Sequence, residues 1–418
     1  MDSLKINSNI NLYYIPMTTL KTTMIGVYMH RRLCEEEVSK NALLPYVLKR
    51  GCKLCPDSEA VAKYLENLYG AAFGASVLKQ GDDQIIYLGF DSISDKYAPN
   101  GEALSRDITK LMMSVMFEPD AFTNEVVEQE KKNAVDRILA EINDKRQYAM
   151  LRCSQEMCKG ESFALSTLGT REGVGAITAQ SLKAHYEDII TSSAIDIYVC
   201  GDADINALAE EIKKYTDKIA FKDAEIPKSE IFAGQGGVKR VTDHMDVVQG
   251  KLSMGFKTGI SADNSDYPAL MVMNSIYGGG AHSKLFNNVR EKLSLCYYAS
   301  SNLVKNKGIM FVNAGIEFEN FQKAYDEILV QLDAVKNGEI SELEFTSSIR
   351  AIENDLESYK DNQRMMQIYC LGQKIAGTNY SIDELKEKIS RVTVEDVKRV
   401  AKNVELNTVY FLAGKEEA

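Results

Sequence analysis

Apolar and polar positions alternate along this chain in a pattern that its second half repeats. Residues 121–145, 322–336 and 341–360 place apolar side chains three and four positions apart, the spacing of amphipathic helices. The first half closes on "ITAQSLKAHYEDIITSSAIDIYVCGDAD", which reads as a capped helix, an apolar strand and a glycine turn. The second half closes on "VTVEDVKRVAKNVELNTVYFLAGKEE", the same elements in the same order. Thr178 and Thr393 are the matching N-cap candidates, and the strands are expected to end at Gly201 and Gly414. Earlier, "NLYGAAFGASVLKQGDDQIIYLGF" (67–90) and "KLSLCYYASSNLVKNKGIMFVNAG" (292–315) each predict a helix end followed by two strands joined at a polar hairpin turn. The segment 221–240, "FKDAEIPKSEIFAGQGGVKR", has a proline, a cluster of glycines and no helical period, so it reads as a linker. The expected fold is α+β, with two homologous domains at 1–220 and 241–418. Each is an antiparallel sheet packed with long helices.

Composition narrows the function classes. The 418 residues are enough for a large core, and 45% are hydrophobic, which is globular. A net charge of -11 without a basic stripe argues against nucleic acid as a partner. No apolar run is long enough to insert into a membrane. The first residues, "MDSLKINSNINLYYIPM", show neither a basic n-region nor an apolar h-region. The eight cysteines have no framework spacing, so reduced thiols and a cytoplasmic location are expected.

Two stretches carry the chemistry. "GGGAHSKLFNNVREKLSLCYYASS" (278–301) begins on a run of glycines, continues with Ser-x-Leu-Phe, and then has Arg290 and, seven residues on, Tyr297. "NALLPYVLKRG" (41–51) has the apolar spacing of a buried helix, yet contains a proline and almost nothing reactive. With the duplicated plan, these stretches resemble the pitrilysin/insulinase family of zinc peptidases. The likeness is to bacterial members with two-domain subunits, akin to mitochondrial processing peptidase. The resemblance implies a duplicated sandwich that forms half of a peptide-binding chamber.

In active members of that family, His-x-x-Glu-His supplies two zinc ligands and the general base, and a glutamate on a later helix completes the site. Aligned on the turn Gly51-Cys52, the histidine positions fall on Ala42 and Tyr46 and the base position on Pro45. Downstream, "KKNAVDRI" (131–138) keeps the Asn-Ala-Val run but places Ile138 at the third ligand. Alanine, proline and isoleucine offer no donor, and a phenol is a poor zinc ligand near neutrality. The reading is a metal-binding helix that has lost its chemistry and kept its packing face. Pro45 is then expected in or near the first helical turn.

The family's second-half arginine and tyrosine stand across from zinc and contact substrate, and Arg290 and Tyr297 occupy these positions, with Tyr298 as the alternative hydroxyl. An arginine offers a forked donor to carbonyls or carboxylates, and a tyrosine hydroxyl can donate to a developing oxyanion. The resemblance therefore implies a noncatalytic, substrate-binding subunit of a heterodimeric zinc metalloendopeptidase. Its partners would be peptides and a paralogous subunit bearing HxxEH. It would hold no cofactor itself, zinc residing in the partner. Two other readings are a structural core protein or stand-alone peptide-binding module, and a thiol redox protein using Cys52 and Cys55. His30, His185, His244 and His282 share no metal-ligand spacing and read as surface or packing residues. Glu35, Glu36 and Glu37 read as a solvated loop with charge favourable to a helix N-terminus.

Overall fold

The computed structural model describes residues 2–234 and 236–415. Gln235, inside the expected linker, lies outside the described residues. The strands are β1 (Asp2–Lys5), β2 (Ile10–Pro16), β3 (Thr22–Arg32), β4 (Ala72–Gln80), β5 (Asp83–Ile93) and β6 (Ala194–Gly201) in one sheet. The other holds β7 (Lys239–Met245), β8 (Gly250–Lys257), β9 (Cys296–Val304), β10 (Ile309–Ile316) and β11 (Glu405–Gly414). The helices of the first half are α1 (Val38–Leu48), α2 (Ser58–Asn67), α3 (Leu104–Phe117), α4 (Asn124–Ala140), α5 (Lys145–Met157), α6 (Arg171–Gly175), α7 (Ala179–Ser192) and α8 (Ile205–Thr216). Those of the second are α9 (Tyr267–Gly278), α10 (Phe321–Asn337), α11 (Glu342–Ser358), α12 (Gln363–Ile375), α13 (Ile382–Ser390) and α14 (Val394–Ala401).

The two sheets follow one topology. Their strand orders are β1-β2-β6-β3-β5-β4 and β7-β11-β8-β10-β9, so the second reproduces the first without its edge strand. Pairing is antiparallel except for β2 with β6 and β7 with β11, one parallel pair in each sheet. The expected caps are present. Thr178 and Thr393 each accept the amide three residues on, from Ser181 and Asp396, and those side chains return the bond to the cap amide. The strands end on Gly201 and Gly414, and both hairpins form.

Contacts divide the chain into two compact units that do not coincide with its halves. The first comprises Met1–Leu139, Leu165–Lys228 and Tyr359–Leu371; the second comprises Ala140–Ala164, Ser229–Ser358 and Gly372–Ala418. Each sheet thus receives a helix from the other half of the chain. In the first unit, alternation along β3 sends Ile25, Val27 and Met29 into the main core, while Tyr28 and His30 face the opposite side. There the start of α12 covers the sheet. Gln363 donates to the carbonyls of Thr22 (2.7 Å) and Cys200 (2.9 Å), and Gln367 accepts the Tyr28 hydroxyl at 2.9 Å. In the second unit α5 lies on β8 and β11, with the Cys153 thiol 3.4 Å from the Ser253 carbonyl.

The tyrosine-bearing face also holds a buried ionic group. The His30 ring lies 2.6 Å from Asp83 and 3.3 Å from Asp196, all with fully buried side chains. Burial alone would disfavour the imidazolium, but the attraction of Asp83 and Asp196 and the hydrogen bond to Asp83 outweigh it and lift its pKa to about 9. Burial pushes the Asp83 carboxyl up as well, against the opposing pull of His30.

Candidate functional site

The helix aligned with the metal motif is buried on nearly every side. Nine of the eleven residues of α1 are buried, including Ala42, Leu43, Leu44 and Pro45, while Tyr46 is half-buried. One expectation is corrected here. Pro45 is the eighth residue of α1, not part of its first turn, because the helix already starts at Val38, whose amide donates to the Cys34 carbonyl at 3.0 Å. A proline here removes the amide that would bond to the Asn41 carbonyl, yet the helix continues, with Lys49 donating to the Pro45 carbonyl at 3.2 Å. Burial of the surrounding apolar side chains offsets that lost bond.

The neighbouring α4 brings Ile138 and its polar neighbours beside this helix. Ile138 packs against the main core, and the Arg137 guanidinium lies over the Tyr46 ring, 3.7 Å from its centroid. Glu130 offers a carboxylate here, but it is already engaged. Arg50 approaches its Oε1 through Nε at 2.7 Å and also through Nη2, and Asn133 donates to the same oxygen at 3.1 Å. These residues do not fit zinc: three of the motif positions lack a donor, the phenol is stacked under a cation, and the nearby carboxylate is held by arginine. Among the described residues, no three His, Cys, Asp or Glu side chains group as metal ligands. Beside the helix lies a cleft of about 490 Å³, lined by Tyr46, Lys49, Arg50, Phe73, Glu130 and Arg137 among others.

The histidines have separate surroundings. His185 meets the Asn41 side chain at 2.8 Å, His244 the Gly414 carbonyl at 2.9 Å, and His282 the Ser275 hydroxyl at 3.1 Å. Glu37 is not simply solvated: Arg31 binds its two carboxylate oxygens at 2.6 and 2.9 Å. Cys52 and Cys55 are both buried and close a turn through their backbones. Burial, reinforced by Cys52, pushes the Cys55 thiol up to about 11, the opposite of an activated thiolate.

In the second unit, the glycines at the end of α9 permit a tight approach. A Cβ on Gly278 would lie 2.6 Å from the Ser301 amide nitrogen, and one on Gly279 only 2.6 Å from the Ser275 Cα. Arg290 follows on a π-helical stretch, Leu285–Lys292, a geometry that recurs at functional sites. Its guanidinium lies 4.6 Å from the Phe286 ring centroid and 3.4 Å from the Glu291 carboxylate. Tyr297 is 62% exposed on β9, and its hydroxyl donates to Glu317 at 2.6 Å. That hydrogen bond holds the phenol pKa above its ordinary value. Tyr298 takes the alternate side of the strand, where its ring lies under the Arg146 guanidinium at 4.3 Å. Burial pushes its pKa up to about 12. Of the two tyrosines, Tyr297 is therefore the more exposed. Its partner Glu317, and the Arg50–Glu130 pair, were not evident from sequence spacing, because each joins residues on separate elements.

Comparison with known proteins places this architecture. The sequence model described as "Peptidase M16 inactive domain" matches residues 176–352. The chain is 35% identical over 420 residues to the "Probable inactive metalloprotease YmfF" of Bacillus subtilis (strain 168), covering 99% of this chain and 97% of that protein. The chain belongs to the M16 peptidase family. It is an inactive-type member, as the pitrilysin/insulinase resemblance implied. Among solved structures, this M16 protein superposes on a conserved protein from Enterococcus faecalis V583 with a TM-score of 0.90 at 29% identity, over 100% of this chain and 99% of that one. A "peptidase M16 inactive domain" from Pseudomonas fluorescens gives a TM-score of 0.79 at 18% identity, over 100% and 98% of the two chains, a likeness of fold alone.

Proposed function

We propose that this chain is the noncatalytic, substrate-binding subunit of a heterodimeric zinc metallopeptidase, completed by a paralogue that bears HxxEH. The observation that carries the reading is the contrast between the two stretches. The positions that the resemblance assigns to metal and base, Ala42, Pro45, Tyr46 and Ile138, are without a suitable donor, while Arg290 and the exposed Tyr297 stand where the resemblance puts the substrate-contacting pair. The partner would hold zinc and activate water. This chain would supply the arginine to grip peptide carbonyls or carboxylates and the tyrosine hydroxyl to donate to the developing oxyanion.

Glu317 fits this assignment. By accepting the hydroxyl proton, it fixes the orientation of an otherwise exposed side chain. On substrate arrival the hydroxyl would exchange that acceptor for the substrate oxygen. The reading is tested by affinity purification of the chain from its native source. Recovery of a similarly sized HxxEH subunit in equimolar amount is the expected result. Recovery of the chain alone, from a genome without such a paralogue, would leave a stand-alone peptide-binding module as the better account.

A further inference from the structure

The cleft beside α1 is cationic as well as metal-incompetent. Its lining includes Lys49, Arg50 and Arg137 against the single carboxylate of Glu130, three positive charges to one negative, on a chain whose net charge is -11. Arg50 is spent on Glu130. Of the other two cations, Arg137 makes only a looser ion pair with the same carboxylate and Lys49 makes none among the described residues. Exposed Lys49 lies 5.6 Å from the Phe73 ring centroid and has no carboxylate partner among the described residues. The Arg137 guanidinium lies over the Tyr46 ring and its Nη2 is 3.9 Å from Glu130, an ion pair without a hydrogen bond. With its side chain 31% exposed and its hydrogen bonding incomplete, this guanidinium favours a ligand that supplies an acceptor. Val61, Leu65 and Phe73 add apolar wall, and about 490 Å³ is more room than a small inorganic ion needs.

We propose that this cleft binds a peptide carboxylate, held between Lys49 and Arg137, with a neighbouring apolar side chain against Val61, Leu65 and Phe73. Loss of the metal site thus left a binding site of opposite demand: where zinc required anionic and neutral donors from the protein, the present residues offer cations to an anionic ligand. Glu130 keeps Arg50 in place, and the Tyr46 ring backs the Arg137 guanidinium, so both cations are positioned before the ligand arrives.

The test uses the isolated chain and needs no peptidase partner, so its failure would leave the proposed action of Arg290 and Tyr297 in trans untouched. Three blocked dipeptides serve as probes in calorimetric titration: acetyl-Leu-Glu-amide, acetyl-Leu-Leu with a free C-terminal carboxylate, and acetyl-Leu-Gln-amide. At least one carboxylate peptide should bind saturably with one-to-one stoichiometry, at least about tenfold tighter than the glutamine amide. Which one binds tells a side-chain carboxylate from a chain terminus. Lys49→Gln and Arg137→Gln should each weaken that binding by about tenfold, while Lys183→Gln on α7 should leave it unchanged. If Arg137→Gln unfolds because its stacking on Tyr46 is lost, exposed Lys49 still decides the matter. The proposal is overturned by absence of saturable binding to both carboxylate peptides, by equal affinity for the glutamine amide or inorganic phosphate, or by wild-type affinity in Lys49→Gln.

Discussion

Tyr297 and Arg290 carry the functional proposal at the scale of single residues. Tyr297→Phe removes one hydroxyl from an exposed strand position, so folding and pairing should be preserved. Loss of one oxyanion donor costs about two to three orders of magnitude in turnover, and steady-state kinetics of the reconstituted complex should show that loss in kcat. Arg290→Ala should raise KM as well, because a substrate clamp acts before the transition state. Wild-type kinetics in both variants would make the pair ordinary structure. His30 makes a separate prediction about stability. Replacing it with Gln removes the imidazolium that pairs with two buried carboxylates, and denaturant unfolding should show a loss of about 3 kcal/mol or more. Its folded pKa of about 9 lies above its ordinary 6.5. The stabilisation it contributes is therefore full below 6.5 and is lost as pH rises through 9. The stability gap between the wild type and His30→Gln should narrow over that interval; a gap that widened would contradict a protonated His30.

At the scale of elements, the exchanged helix is the feature to test. A Cβ on Gly26 would fall 2.2 Å from the Gln367 side-chain oxygen and 2.9 Å from the Tyr28 ring. Gln367 has little freedom to withdraw, because its amide nitrogen donates to the Met24 and Tyr198 carbonyls. Gly26→Ala should therefore destabilise the first unit by about 1–3 kcal/mol in urea unfolding, by prising α12 from its sheet. Thr178→Ala and Thr393→Ala should each cost about 1 kcal/mol, and roughly the sum together. The caps, strand ends and hairpins were legible in the sequence because each is decided by a few adjacent residues. The exchange was not. An amphipathic period shows that one face of α5 or α12 is buried, but not which sheet will cover it. Pro45 was misplaced for a related reason: proline's own preference pointed to a first turn, and the burial that lets α1 run through it is a tertiary effect. The Arg50–Glu130 pair, separated by 80 residues, is likewise a product of packing.

At the scale of the whole molecule, the duplication shows in the two sheets. Two sheets of one topology give each unit the same framework, and the chemistry then differs through a few side chains on it. Among the described residues, no helix is long and apolar enough to cross a membrane. In the proposed function the first unit lacks metal donors and the second supplies Arg290 and Tyr297 to the substrate. Restoring histidines at positions 42 and 46 should not recover activity, since Pro45 and Ile138 would still supply neither base nor third ligand. The most direct measurement is bound zinc and peptide cleavage for the purified chain alone, for its HxxEH-bearing paralogue alone, and for the two together. The account predicts no stoichiometric zinc and no cleavage by this chain alone, with chelator-sensitive cleavage by the mixture exceeding that of the paralogue. One tightly held zinc per chain, accompanied by chelator-sensitive cleavage in the absence of any partner, would contradict it.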